Sequence, residues 1–249
     1  MNTLWLDSID STNSEALRRL PELPSGTVLA AREQTAGRGQ RGNRWFSEPG
    51  RNLTFSIVLK DLPLPASEAV KLNYLASLAV ASYLESRGVG AAIKWPNDIY
   101  VEGRKICGML IENTLSPEGR LAASVLGIGI NVNQLQFSRL ANATSLALCT
   151  GKAYDVPAEL DAFLAVFEAL LPRLAESADD RAPGAASLRE AYAARLFRRG
   201  LPARYHDLLR DREFTGIIRG VDPEGRLHLT DSDAGEDRFY RFKEVGYIL

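Results

Sequence analysis

The sequence predicts an α+β protein that carries a small all-β unit at its C-terminal end. Three observations lead there. Residues 52–60, "NLTFSIVLK", alternate with period two, so Leu53, Phe55, Ile57 and Leu59 share one face of a strand. Residues 67–87 repeat apolar side chains at helical spacing, with Leu72, Leu75, Ala76, Ala79 and Tyr83 on one stripe. From Gly200 onward, short β segments ("EFTGIIRGV", "GRLHLT", "RFYRF", "YIL") are punctuated by the turns "DPEG" and "DSDAGED", the pattern of a small β-barrel.

The remaining elements follow in order. "TLWLD" (3–7) reads as a short strand, and "STNSEALRRL" (11–20) as a helix capped by Ser11, Thr12 or Asn13. "TVLAARE" (27–33) is a strand, followed by the glycine- and arginine-rich loop "GRGQRGNRW" (37–45). "AAIKW" (91–95) is a strand stopped by Pro96, and strands at 98–102 and 105–113 flank the turn "EGR". A further strand covers 121–133 and helices dominate 143–199, interrupted by a polar connection at 176–187. The division expected is a catalytic domain at 1–199 and a β domain at 200–249.

Composition narrows the function. A chain of 249 residues, 45% of them hydrophobic, can bury a substantial core. A net charge of −1 is not the balance of a nucleic-acid-binding protein. The two histidines, His206 and His228, come late and argue against a histidine metal site or triad. Cys107 and Cys149 form no CxxC pair and are expected as buried free thiols. Nothing reads as a signal peptide or a membrane-length apolar run, so a cytoplasmic location is expected.

The chemistry concentrates in a few stretches. Gly37, Gly39 and Gly42 permit a tight backbone whose amides can cradle an anion. Arg38, Arg41 and Arg44 add forked donors suited to phosphate or carboxylate, and Trp45 adds an apolar lid. The same composition also suits a solvated basic hairpin. Lys94 in "KWPND" is either a solvated strand-end charge or a cation aimed into a site. Asn97 and Asp98 also suit a plain turn. In "LGIGINVN" (126–133), alternation puts Gly127, Gly129, Asn131 and Asn133 on one face. That bare face admits either another part of the chain or a flat ligand. Lys105 opens a strand largely apolar on both faces and is either an edge charge or, being close in sequence to Lys94, a second site cation; Glu112, late in that strand, can bond a neighbouring turn or orient a basic group.

In this order, "STN" (11–13), "EQTAGRGQRGNRW" (33–45), "KWPNDIY" (94–100), "RKICGMLIE" (104–112) and "GIGINVN" (127–133) resemble the biotin protein ligases. "GIIRGVDPEGRLHL" (216–229) also resembles that family's SH3-like C-terminal domain. The resemblance implies a central mixed β-sheet flanked by helices, the class II synthetase-like biotin/lipoate ligase fold. It implies a two-step reaction, in which biotin and Mg-ATP give biotinyl-5′-AMP, and a lysine of a carboxylase's biotin carboxyl carrier domain then takes the biotinyl group. By the same resemblance, Lys94 and Arg38 are the catalytic residues. Ser11, Thr12, Asn13, Gln34, Arg38, Gly39, Gln40, Lys94, Gly108 and Gly127 would hold biotin. Arg38, Arg41, Trp45, Lys94, Asn97, Lys105 and Asn131 would hold ATP, with Asn131 at the adenine edge. The cofactors implied are ATP and Mg²⁺, with the magnesium ligands left unknown. Gln40 departs from the pattern, because relatives carry another arginine there.

The catalytic motifs begin at Ser11, so the expected type is monofunctional, without a DNA-binding domain and without DNA or membrane as partner. Family members often pair edge to edge, which makes a homodimer a further expectation. The rival readings are a lipoate or octanoate ligase of the same fold, a non-catalytic biotin sensor, and a basic nucleic-acid-binding hairpin.

Overall fold

The computed structural model describes residues 1–62, 64–137, 142–176 and 186–249, with the backbone but not the side chain of Arg41. The chain starts with strand β1 (Asn2–Ile9), helix α1 (Thr12–Arg18), and strands β2 (Thr27–Gln34) and β3 (Leu53–Lys60). Helix α2 (Val70–Ser86) leads into β4 (Ala92–Lys94), β5 (Asp98–Val101), β6 (Arg104–Leu115) and β7 (Leu121–Ile130). Helices α3 (Leu146–Thr150), α4 (Val156–Leu170) and α5 (Leu188–Ala194) follow. The chain closes with β8 (Pro202–Asp207), β9 (Arg212–Val221), β10 (Leu227–Asp231), β11 (Glu236–Tyr240) and β12 (Val245–Tyr247).

The first seven strands make one mixed sheet in the order β1-β2-β3-β7-β6-β5-β4. β1 and β2 are parallel and every other neighbouring pair is antiparallel. The last five strands make an antiparallel sheet in the order β11-β10-β9-β8-β12. The polar connection expected at 176–187 lies for the most part outside the described residues.

The alternation along β3 decides which face of the large sheet does what. Leu53, Phe55, Ile57 and Leu59 turn to the main core with α2 and α4, where Phe55 meets Phe163 at 5.2 Å between ring centroids. Val58 turns to the opposite face and packs with Ala16, Leu23, Leu29 and Val125 beneath α1. Truncating a buried leucine such as Leu29 to alanine costs about 2–5 kcal/mol at such a site. α2 differs from the single stripe that its spacing suggests. Tyr74, Leu78, Val80, Ala81 and Leu84 are buried as well, because α4 and α5 cover the flank that the sheet leaves open.

Two expectations fail locally. Cys107 is buried, but Cys149 is exposed, since α3 turns Leu146 and Ala147 inward and leaves the cysteine outside. The strand expected to reach residue 133 ends at Ile130. Beyond it, alternation no longer governs direction, and the Asn133 amide clasps the backbone of Tyr154, donating to its carbonyl at 2.7 Å and accepting from its amide at 2.9 Å.

Candidate functional site

The α1 face of the large sheet carries the functional residues. Gly127 of β7 lies between Ser56 of β3 and Leu110 of β6, and Gly129 between Thr54 and Gly108. The missing side chains leave a hollow in the sheet floor, and two parts of the chain enter it. A Cβ on Gly127 would stand 2.0 Å from Asn13 Oδ1, and one on Gly129 would stand 2.4 Å from Cε2 of the Trp45 indole. Both groups come from elements that the glycines could not have specified locally, namely the start of α1 and the end of the 37–45 loop.

That loop is a compact hairpin. Arg38 and Arg44 bridge in antiparallel fashion, the Gly39 amide donates to the Asn43 carbonyl at 2.7 Å, and a single 3-10 turn spans Gln40–Gly42. A Cβ on Gly37 would lie 2.5 Å from the Trp45 carbonyl oxygen, so the close crossing of the two arms requires glycine there. Gly42, at φ +85°, takes the left-handed turn.

Beneath the hairpin runs a polar network. Ser11 caps α1, its hydroxyl accepting from the Ser14 amide. Gln34 Oε1 accepts from the Thr12 amide at 2.8 Å. The Ser56 hydroxyl lies 2.8 Å from Thr12 Oγ1 and 2.6 Å from Asn13 Oδ1. The Asn13 amide donates to the Leu110 carbonyl and to Glu112, and Glu112 in turn receives the Arg38 fork at 2.8 and 3.1 Å. Of the two roles open to Glu112 from the sequence, the structure shows it orienting a basic group, Arg38.

The "KWPND" segment forms the facing wall. The Pro96 carbonyl accepts from Asn73 Nδ2 at 2.7 Å and from the Tyr192 hydroxyl at 2.8 Å, which fixes the turn against α2 and α5. Asn97 is buried, with its amide on the Met109 carbonyl. Asp98 pairs with Lys105 at 2.6 Å. The Lys94 ammonium faces two rings instead, lying 5.0 Å from the centroid of Tyr100 and 5.1 Å from that of Tyr247. Burial lowers the Lys94 pKa below the ordinary lysine value. Nearby Asp98 opposes that shift, while Lys105 and Arg198 add to it.

These walls enclose a cavity of about 270 Å³. Ser11, Thr12, Asn13, Gln34, Arg38, Gly39, Gln40, Trp45, Lys94, Asn97, Lys105, Gly108 and Gly127 all line it. Two expected residues do not join them. The Arg41 side chain lies outside the described residues. Asn131, expected at an adenine edge, is not among the lining residues and donates to the Thr144 carbonyl at 2.9 Å. With β7 already ended, this amide anchors the following loop. Asp98, Trp95, Phe242 and Tyr247 line the cavity without having been singled out as site residues. Asp98 was legible as the acidic end of "KWPND". Nothing local marks Phe242 or Tyr247, because the second sheet brings them in.

Among the described residues, no helix is long and apolar enough to cross a membrane. Nor does any group of three or more His, Cys, Asp and Glu side chains there come together as a metal cage.

The profile of the Biotin/lipoate A/B protein ligase family matches residues 5–131. The biotin–[acetyl-CoA-carboxylase] ligase of Paracoccus denitrificans is 35% identical over 230 residues, covering 88% of this chain and 90% of that protein. The bifunctional ligase/repressor BirA of Escherichia coli K12 is 34% identical over 239 residues, covering 90% of this chain and 68% of that protein. Among solved structures, the biotin protein ligase from Aquifex aeolicus in complex with biotin and ATP superposes with a TM-score of 0.77 at 26% identity, covering 98% of this chain and 97% of that one. The matched profile, the two relatives and a shared fold that extends through the second sheet establish that the chain belongs to the biotin/lipoate A/B protein ligase family.

Proposed function

We propose that the chain is an ATP-dependent biotin–protein ligase, which activates biotin as biotinyl-5′-AMP and transfers the biotinyl group to a lysine of a biotin carboxyl carrier domain. One observation carries this reading. Lys94, Arg38 and Lys105 line the same cavity as the hydrogen-bonding network of Thr12, Asn13 and Gln34, and Arg38 is tied to Asn13 through Glu112. The polar network suits the ureido group of biotin, and the cations suit two anions that must meet.

Activation requires the biotin carboxylate to approach the α-phosphate, so fixed charge and donors must offset the repulsion. Lys94 supplies three N–H donors at the reacting oxygens. Arg38, held by Glu112, adds a forked cation for the same oxygens, and Lys105, with Arg41, serves the outer phosphates. The carboxylate arrives ionised, so no general base is needed in this step. Gly39, Gln40, Gly108 and Gly127 complete the biotin set: Gly127 makes room for the Asn13 amide, Gly39 and Gly108 line the cavity, and Gln40 offers a hydrogen-bonding amide. Trp45 offers a flat apolar partner to the nucleotide base, and Asn97 stiffens the wall behind it. Asn131 stays the proposed partner of the adenine edge, since an amide that donates to the Thr144 carbonyl has a second N–H and an acceptor oxygen to offer. Among the described residues no His, Cys, Asp and Glu group builds a cage for magnesium, which would enter as Mg-ATP on phosphate oxygens and water.

Further parts of the reading are a catalytic unit at 1–199 with a β unit at 200–249, a cytoplasmic location, no DNA partner, and pairing of two copies through sheet edges. The central test incubates the protein with ATP, an apo carrier domain and either biotin or lipoate. Biotin-dependent labelling on a streptavidin blot is expected, and loading of lipoate in its place overturns the reading.

A further inference from the structure

Lys94 is half-buried and yet keeps its charge from the obvious acid. Asp98 stands opposite it in the β4–β5 register, but the Asp98 carboxylate bonds Lys105 at 2.6 Å. The Lys94 ammonium is instead bracketed by the faces of Tyr100 and Tyr247, at 5.0 and 5.1 Å from the two centroids. A ring face attracts a cation through its quadrupole without consuming the N–H donors as a carboxylate would. It also adds no negative charge that would compete with an incoming anion.

The two rings have different origins. Tyr100 belongs to β5 of the large sheet, whereas Tyr247 belongs to β12 at the edge of the second sheet. Tyr247 pairs with Tyr205 of β8 and meets its ring edge-on at 5.3 Å. Trp95, next to Lys94, is tied to the same sheet, since its indole donates to the Gly225 carbonyl at 3.0 Å and its ring meets that of Phe242 edge-on at 6.4 Å. The Lys94–Trp95 dipeptide is thus one point where the second sheet is fastened to the site.

We propose that Tyr247 is a positioning residue for the activation step: with Tyr100 it clamps the Lys94 ammonium between two ring faces, so the C-terminal sheet completes the active site. This rests on the activation role given to Lys94 above. Pyrophosphate release, measured with biotin and Mg-ATP, separates the two ideas when Lys94→Ala, Tyr247→Phe, Tyr247→Leu and Tyr247→Met are assayed side by side. Lys94→Ala should be inactive, and near-normal release by it overturns the role of Lys94 itself. Tyr247→Phe keeps the ring and should retain kcat within about twofold. Tyr247→Leu and Tyr247→Met keep apolar bulk without a ring and should lose roughly tenfold in kcat, with the KM for biotin unchanged. Wild-type kcat in a folded Leu or Met variant, or an equal loss in Tyr247→Phe, overturns the clamp. The intact protein gives an independent reading by NMR. The Lys94 ε-methylene protons, assigned against Lys94→Arg, should be shifted upfield by the two rings, and an ordinary lysine position overturns the clamp.

Discussion

The Asn13 amide occupies the space that a side chain on Gly127 would need, with Oδ1 2.0 Å and Cγ 2.7 Å from the would-be Cβ. This amide is no loose end, since Ser56, Leu110 and Glu112 all hold it. Gly127→Ala should therefore displace Asn13 and break at least two of those bonds. The expected cost is about 2 kcal/mol of stability, a melting decrease of roughly 4–8 °C, with biotin affinity weakened at least tenfold. Calorimetric titration with biotin checks this, and normal affinity would detach Asn13 from the ligand.

Lys94→Ala should abolish biotin-dependent pyrophosphate release while circular dichroism and melting stay near those of the wild type. The pH profile adds a second check. Burial lowers the Lys94 pKa, so the charged form is lost on raising the pH before the ordinary lysine value of about 10.4 is reached. The basic limb of activation should lie below that value. Lys94→Arg, if active at all, should move the limb upward, because a guanidinium stays charged.

Glu112 anchors both Arg38 and Asn13. Arg38 is substantially exposed, at 41% of its side-chain surface, so the pair adds little to stability, under about 1 kcal/mol. Glu112→Gln should leave the melting temperature within a few degrees and lower kcat/KM for biotin roughly tenfold by freeing Arg38. A fall in stability with unchanged kinetics would make Glu112 a purely structural residue.

Gln40 lines the cavity on the hairpin and can donate a hydrogen bond but supplies no charge. Gln40→Arg should slow escape of the adenylate more than it changes biotin binding. Trapping released adenylate by non-specific biotinylation of an unrelated protein measures the escape rate. Equal effects on escape and on biotin affinity would remove Gln40 from this role.

Much of the large sheet was legible because its signals are local. Leu53 to Leu59 alternate, Pro96 stops a strand, and Ser11 supplies an N-cap; each is read within a few residues. The glycines at 127 and 129 also announced a bare face. What fills that face was not legible, because Asn13 and Trp45 are distant in sequence, and alternation gives the direction of a gap but never its occupant. Asn131, just past the end of β7, donates its amide to the Thr144 carbonyl, a partner that alternation along the strand does not reveal. Cys149 was misjudged because apolar neighbours on a short helix do not say which side faces the core.

The sequence by itself determined the α+β class, the order of the strands along the chain, and the clustering of arginine, glycine and lysine in motifs that resemble those of one ligase family. Only the tertiary structure decided that Asp98 takes Lys105 and leaves Lys94 between two tyrosines, and that one of those tyrosines arrives from the last strand. The physical reason lies in range. Hydrophobic periodicity and capping act between near neighbours, whereas the partner of a buried charge is chosen by whichever groups the packed sheets bring within a few ångströms.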